Sequence, residues 1–326
     1  MSATALITGI AGQDGSFLAE LLLAKGYEVH GLVRRSSTDN LSRLSGVRAR
    51  NLESNLTLHY GDLNDPLGLA WLVRDIRPSE VYHLAAQTDV GLSFVIPEET
   101  TATNAVGTLR MLEAVRLGAP DARFYNASSA EVFGRSLGPQ SETTPFSPCS
   151  PYGYSKAFAY WATVNYRNAY GLHASNGIFF NHESERRGSN FVTQKIALAV
   201  AGIEQGKQET LQLGDLTSVR DWGYAPEYAE AMWLILQEPR PEDYVVATGE
   251  GHTVAEFCQL AFSEVGLDWS EYVESSSQYF RPEEPGSLVG DSRKAHKNLG
   301  WLPRTTFPQL VSLMVRAARE RSGQIG

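Results

Sequence analysis

Short runs of apolar and β-branched residues alternate with longer amphipathic stretches through the first half of the chain. TALIT (4–8), EVHGLV (28–33), LTLHY (56–60), EVYHL (80–84), RFYNAS (123–128) and ASNGIFF (174–180) read as strands. GSFLAELLLAK (15–25), NAVGTLRMLEAVRL (104–117) and the segment from Pro151 to Tyr170 place apolar residues at helical spacing. Strand–helix alternation of this kind predicts an α/β fold, a doubly wound parallel sheet with helices on both faces. After Phe180 the pattern changes. Charged and Gly/Pro-containing loops (HESERRGSN, GDLTSVRDWGY, FRPEEPGS) separate shorter elements, which suits a smaller α/β lobe over the carboxyl edge of the sheet. The helical pattern PEYAEAMWLILQ at 226–237 fits packing back on the first lobe. The expected organisation is a first lobe over 1–180, joined by 221–240, and a second over 181–326.

The first strand runs into ITGIAGQDG, with Gly9, Gly12 and Gly15 in the order G-x-x-G-x-x-G, and an amphipathic helix follows at once. Glycines at this strand–turn–helix junction let a pyrophosphate approach backbone N–H groups at a helix N-terminus, where the dipole favours an anion. Gln13 and Asp14 belong to the same turn and are candidate cofactor contacts. The second strand ends at Val33 and is followed by Arg34, Arg35, Ser36 and Ser37, where an NAD site would carry an acidic residue for the ribose 2′-hydroxyl. Paired arginines favour a 2′-phosphate, so the expected cofactor is NADP. Asp62 and Leu63 after the third strand, and Ala85, Ala86 and Gln87 after the fourth, complete the candidate dinucleotide contacts.

PYGYSK at 151–156 puts Tyr152 and Lys156 four apart at a predicted helix start, on one face. An ammonium near a phenol is expected to lower the phenol pKa from about 10 toward working pH. A phenolate beside a nicotinamide can take a proton from a sugar hydroxyl while hydride leaves the same carbon. Tyr154 has no lysine four residues on. In NASSAEVFG, at 126–134, Ser129 can hydrogen-bond the same sugar hydroxyl, and Glu131 is a carboxylate at the mouth of a buried sheet.

Composition narrows the class. The chain has 326 residues, 42% of them hydrophobic and 20% charged, enough for a sizeable core. A formal charge of −9 argues against nucleic-acid binding, which calls for basic stripes, but leaves room for a small phosphorylated ligand held by a few arginines. Two cysteines, Cys149 and Cys258, with no Cys-x-x-Cys or Cys/His cluster, predict a reduced, cytoplasmic protein without a structural metal. No signal-peptide pattern and no long apolar run is present, so no membrane association is expected.

These motifs together resemble the extended short-chain dehydrogenase/reductase family. Longer blocks, ITGIAGQDGSFLAELLLAKGYEVHGLVRRSS, FYNASSAEVFG, WATVNYRNAYGLHASNGIFFNHES, RRGSNFVTQKI, SVRDWG, DYVVATG and YFRPEEPGSLVGD, are similar to the GDP-mannose 4,6-dehydratases within it and spread over nearly the whole chain. The resemblance implies a Rossmann-like NADP lobe, a GDP-sugar lobe and an internal redox cycle. Tyr152, with Ser129 and Lys156, would remove the sugar C4 hydroxyl proton during C4 oxidation. Glu131 would take the C5 proton, the C6 hydroxyl would leave as water, and hydride would return to C6. Asn181, Val192, Lys195, Arg220, Arg281 and Glu284 match positions that hold the GDP part, and arginine and serine near the NADP phosphate imply a homo-oligomer. His182 reads as a packed or hydrogen-bonded loop histidine, and Arg186 and Arg187 as phosphate contacts or a solvated loop.

The chain departs from the family pattern in three places. Ser128-Ser129-Ala130-Glu131 stands for Ser-Thr-Ser-Glu, so one hydroxyl that could help the C6 oxygen leave is missing at Ala130. Glu185 stands for proline and is expected to add negative charge near the sugar nucleotide, while Gln194 replaces an arginine. The departures keep open the same dehydration on another GDP-sugar such as a GDP-manno-heptose, an NADP-dependent GDP-4-keto-sugar reductase or epimerase, and a non-catalytic NADP-sensing protein. Glu131 separates dehydration from simple reduction, and the retained Tyr152 and Lys156 argue against a sensor.

Overall fold

The computed structural model of the protein describes residues 3–37, 40–50 and 52–323. Seven parallel strands form the central sheet: β1 (Thr4–Thr8), β2 (Glu28–Val33), β3 (Leu56–Tyr60), β4 (Glu80–His83), β5 (Arg123–Ser129), β6 (Ala174–Phe179) and β7 (Tyr244–Val246). Their order is β7-β6-β5-β4-β1-β2-β3, so the connection after β3 crosses to the other side of β1. That reversal opens a crevice at the carboxyl ends, the place where open α/β sheets bind ligands. Six of the seven strands match the runs read from the sequence. The seventh, in DYVVATG, is only three residues long and pairs Val245 with Ile178.

The helices of ten or more residues are α1 (Gln13–Ala24), α2 (Pro66–Ile76), α3 (Gly107–Gly118), α4 (Pro151–Tyr170), α5 (Val192–Glu204), α6 (Ala225–Gln237), α7 (Val254–Ser263) and α8 (Phe307–Gly323). The helical pattern expected from residue 104 onward begins as a π-turn over Ala102–Val106 before α3 takes over. α4 shows why its start is fixed. Ser150 is the N-cap, its hydroxyl accepting from Gly153 N at 3.0 Å, Pro151 opens the first turn, and Gly171 ends the helix at φ 71°. Tyr152 and Lys156 therefore project from the first turns of a firmly capped helix that buries Ser155, Ala159 and Tyr166 as well.

Leu18, Leu22, Ile7 and Val29 pack on one sheet face together with Tyr228, Met232 and Ile235 of α6, and Tyr244, Val246 and Trp301 extend the same core. The opposite face is covered by Leu69 and Val73 of α2 and Met111, Leu112 and Val115 of α3. A separate core joins Ile196 and Val200 of α5, Phe257 and Phe262 of α7, and Leu310 and Met314 of α8. Among the described residues no helix is long and apolar enough to cross a membrane.

Candidate active site

The glycine turn is built for close backbone approach. Gly9 sits at φ +74°, and a Cβ there would lie 2.8 Å from Ala85 N, while one on Gly15 would lie 2.3 Å from the Gly9 carbonyl. The Thr8 hydroxyl accepts from Leu84 N and Ala85 N, each at 3.1 Å, which pins the β4 exit against the turn. Gly12, the N-cap of α1, offers no side-chain cap, so the first N–H groups of a twelve-residue helix face outward from a glycine surface. This cradle fits a dinucleotide pyrophosphate. Gln87 N donates to Asn104 Oδ1 at 2.8 Å. Arg34, Arg35 and Ser36 follow β2 as an exposed segment. Asp62 follows β3 and accepts from Asn64 N at 2.8 Å, whereas Leu63 is buried against α2 and α3.

Beside the cradle a cavity of about 440 Å³ opens at the carboxyl ends of β4, β5 and β6, within the range that holds a small organic ligand. Ser129, Glu131, Tyr152 and Lys156 meet in its wall, and Asn181, Val192, Lys195, Arg220, Arg281 and Glu284 line the rest. Ser129 and Glu284, 155 positions apart, are thus brought to one space. Arg187 is a further lining cation. Its guanidinium lies 3.6 Å from the centroid of the Phe191 ring and 3.0 Å from Glu183, so it is neither solvated nor free. Arg186 turns away to Glu20 at 2.7 Å. Tyr154 is 47% exposed and points away from the site.

The reactive groups are held differently from the sequence-based expectation in one respect. Burial pushes the Tyr152 phenol up to about 12, and the charges of Glu131 and Asp14 add to the rise, while its hydrogen bond with Ser129 works against it. Lys156 does not offset the rise: its ammonium lies 5.8 Å from the ring centroid and donates to the Ala127 carbonyl at 2.8 Å. Burial brings Lys156 itself down to about 8, with Asp14 opposing. Ser129 caps the short turn Ala130–Val132, its hydroxyl accepting from Glu131 N at 3.3 Å. Glu131 is 8% exposed, with Oε1 taking Arg281 Nη1 at 3.3 Å. Ala130 is buried against Val132, Phe133 and Phe180.

Other assigned groups are partly engaged by the protein. Lys195 donates to the Gln212 carbonyl at 2.7 Å and sits 4.0 Å from the Tyr279 ring centroid. Arg220 reaches Glu284 at 3.2 Å. Gln13 donates to the His182 carbonyl at 3.1 Å and accepts from the Ser184 hydroxyl at 2.8 Å, tying the glycine turn to the second lobe.

His182, read from sequence as a packed or hydrogen-bonded loop histidine, is both: it pairs with Asp14 at 2.9 Å while stacking on Tyr228. Burial opposes both charges, but the pair prevails, holding Asp14 at about 2 and raising His182 above its ordinary value. Glu185 lies outside the cavity lining, 3.8 Å from Arg186, so the negative charge expected near the sugar nucleotide is turned elsewhere. Gln194 is likewise buried outside the lining, with Oε1 lacking a partner among the described residues.

A doubly wound sheet, a glycine-lined helix N-terminus and a Tyr–Lys pair beside a hydroxyl-bearing strand end define an extended short-chain dehydrogenase/reductase. A dTDP-glucose 4,6-dehydratase from Streptomyces venezuelae, solved with NAD, superposes with a TM-score of 0.85 at 28% identity, covering 98% of both chains. A family model for GDP-mannose 4,6-dehydratase matches residues 6–314. The GDP-mannose 4,6 dehydratase 2 of Arabidopsis thaliana is 54% identical over 318 residues, spanning 95% of this chain and 85% of that one. The human GDP-mannose 4,6 dehydratase is 48% identical, spanning 96% and 90%. The chain belongs to the GDP-mannose 4,6-dehydratase family.

Proposed function

We propose that this protein converts GDP-mannose to GDP-4-keto-6-deoxy-mannose and water, using a bound nicotinamide dinucleotide that we assign as NADP. The observation that carries the reading is Glu131 in one cavity wall with Ser129, Tyr152 and Lys156. A 4-keto-sugar reductase has no use for a carboxylate there. The paired arginines after β2, in place of an acidic residue, support NADP. In lobe terms, residues 1–180 with 221–240 hold the dinucleotide and 181–326 the GDP-sugar.

When bound, the dinucleotide supplies a two-electron oxidation at C4 and the matching reduction at C6, and ends unchanged. Tyr152, beside Ser129 in the cavity wall, receives the proton of the C4 hydroxyl and gives it back when C5 is reprotonated. Lys156, anchored on the Ala127 carbonyl, contributes the positive charge that favours the phenolate. The C4 ketone acidifies the C5 proton, which Glu131 removes. Ala130 has no hydroxyl to offer, so Glu131 also passes a proton to the departing C6 oxygen, and water is complete. Lys195, Arg187, Arg220 and Arg281 line the cavity with charged N–H donors, which suits a diphosphate able to draw them from their present partners.

Tyr154, Phe158 and Trp161, all exposed and at helical spacing on α4, support self-association, which light scattering would test as a mass above that of one chain. The reaction is tested by mass spectrometry on a panel of GDP-sugars with catalytic NADP. GDP-mannose is expected to lose one water without net build-up of reduced cofactor, and stoichiometric reduction would overturn the dehydratase reading. Turnover of a GDP-manno-heptose alone would move the substrate and keep the mechanism.

A further inference from the structure

Four side chains of alternating charge run across the cavity wall. Glu131 Oε1 is 3.3 Å from Arg281, Arg281 is 3.8 Å from Glu284, and Glu284 is 3.2 Å from Arg220. This row of four charges is balanced within itself, so neither arginine brings surplus charge to an incoming diphosphate. Such a ligand has to compete with the carboxylates already there. Glu131 Oε2 is buried and has no hydrogen-bond partner among the described residues. In this arrangement one oxygen of the proposed base is covered by a guanidinium and the other is shut away from the cavity. A carboxylate so placed cannot take a carbon-bound proton until its cover moves.

The two partners differ in how firmly they are held. Glu131 lies on the short turn that continues β5, between buried Ala130 and Val132. Arg281 is carried by an irregular strap between Val273–Ser275 and the bridge of Leu288 with Arg220, with a single short turn at Ser277–Tyr279. The strap rests on Lys195 through Tyr279, on Arg135 through Glu283, and on the Gly134 carbonyl through Gly286 N at 3.1 Å. The Arg281 side chain is 29% exposed, against 11% for Glu131. Its 3.3 Å contact is also longer than a charge-assisted bond at its best, about 2.7–2.9 Å. Arg281 is the partner free to leave, and a diphosphate, with more charge and a geometry that accepts two guanidinium N–H bonds, outbids a single carboxylate oxygen.

We propose that Arg281 is a transferable counter-ion: it caps Glu131 until the diphosphate of a nucleoside-diphosphate sugar takes it over, and that transfer uncovers the base. The proposal rests on the reading of Glu131 as the C5 base and makes Arg281 a positioning residue as well as a phosphate contact. It ties base competence to occupancy of the nucleotide subsite, so a sugar phosphate lacking the diphosphate would meet a covered base.

The test reads Glu131 itself and needs no turnover. The full-length protein is treated with a water-soluble carbodiimide and a nucleophile, and modification of Glu131 is quantified by peptide mass spectrometry with and without GDP or inorganic pyrophosphate. Either diphosphate is expected to raise labelling of Glu131 about ten-fold, the low end of what releasing one charge-assisted bond provides. Arg281→Gln is expected to be labelled at the raised level with or without a diphosphate, and Arg281→Lys to fall between. Wild-type labelling that stays constant or falls with both diphosphates overturns the proposal, whether or not the variants fold. Pyrophosphate acting where GDP does not supports the transfer and removes the guanine part of the proposed substrate.

Discussion

Replacing Glu131 by glutamine changes little in shape and removes the one group that distinguishes dehydration from simple redox chemistry. Glutamine keeps a carbonyl for the Arg281 contact, now 3.3 Å, but loses the charge, which costs about 1 kcal/mol as a charge-assisted bond becomes an ordinary one. Its amide nitrogen falls where Oε2 now has no partner, and that adds about 1–3 kcal/mol of unsatisfied donor. Relief from burying a carboxylate on a residue 8% exposed works the other way. The expected net is about 1 kcal/mol, a Tm drop of about 2–4 °C or less in a chain of this size. The kinetic effect is far larger. A positioned acid or base contributes about 10²–10⁴ in rate, and Glu131 is asked to act as both, so kcat for water loss should fall toward the upper figure. C4 oxidation does not use Glu131 and should persist. The assay follows product by mass spectrometry and reduced nicotinamide by absorbance in single-turnover mixing. Reduced cofactor should accumulate to one equivalent per site in Glu131→Gln and not in wild type. Dehydration within ten-fold of wild type, at an unchanged Tm, would refute the assignment of Glu131.

Three further outcomes follow from the same geometry. Gly9→Ala puts a Cβ 2.8 Å from Ala85 N at φ +74°, so strain of about 1–2 kcal/mol plus a backbone collision should lower Tm and weaken dinucleotide binding at least ten-fold by calorimetric titration; wild-type values of both would contradict the cradle. The Asp14–His182 pair contributes stability above the ordinary Asp value of 3.8, lost as pH falls toward about 2, and below the ordinary His value of 6.5, lost as pH rises through the raised His182 value. The Tm deficit of His182→Gln should therefore be largest between about pH 4 and 6.5, and a deficit independent of pH would sink the ion-pair assignment. Replacing Arg34 and Arg35 together by alanine should shift the NADP:NAD affinity ratio by about 10–100-fold, read as two dissociation constants, with an unchanged ratio counting against NADP.

Periodicity carried most of the sheet because β1 to β6 are β-branched or aromatic runs closed by turns, and α4 could be placed to the residue because Ser150, Pro151 and Gly171 are local signals. β7 could not, since Tyr244–Val246 is too short for a period and is a strand only because β6 leaves an edge for it. The glycine turn and the Tyr–Lys spacing marked the site, each being a local motif with a local cause. The Tyr152 expectation erred in direction because pairing by sequence spacing says nothing of burial, and burial dominates the phenol. His182 and Arg281 acquired their meaning from Asp14 and Glu131, partners 168 and 150 positions away, which no local pattern encodes.

α6 and β7 lie in the second half of the chain yet complete the first lobe. Tyr228, Met232 and Ile235 of α6 cover the sheet beside α1, Trp301 donates to the Glu227 carbonyl at 2.8 Å behind them, and β7 supplies the hydrogen-bonding partner of β6. A fragment ending at Phe180 would keep every residue of the glycine turn and the Tyr–Lys pair, but it would present a bare apolar face and an unpaired edge, a template for aggregation. The central sheet with its helices is therefore not a module that one cut can release. An exchange of the rest of the second half between relatives must leave residues 225–246 and Trp301 with the recipient sheet, so the transplantable unit is discontinuous: three segments hung on an indivisible scaffold.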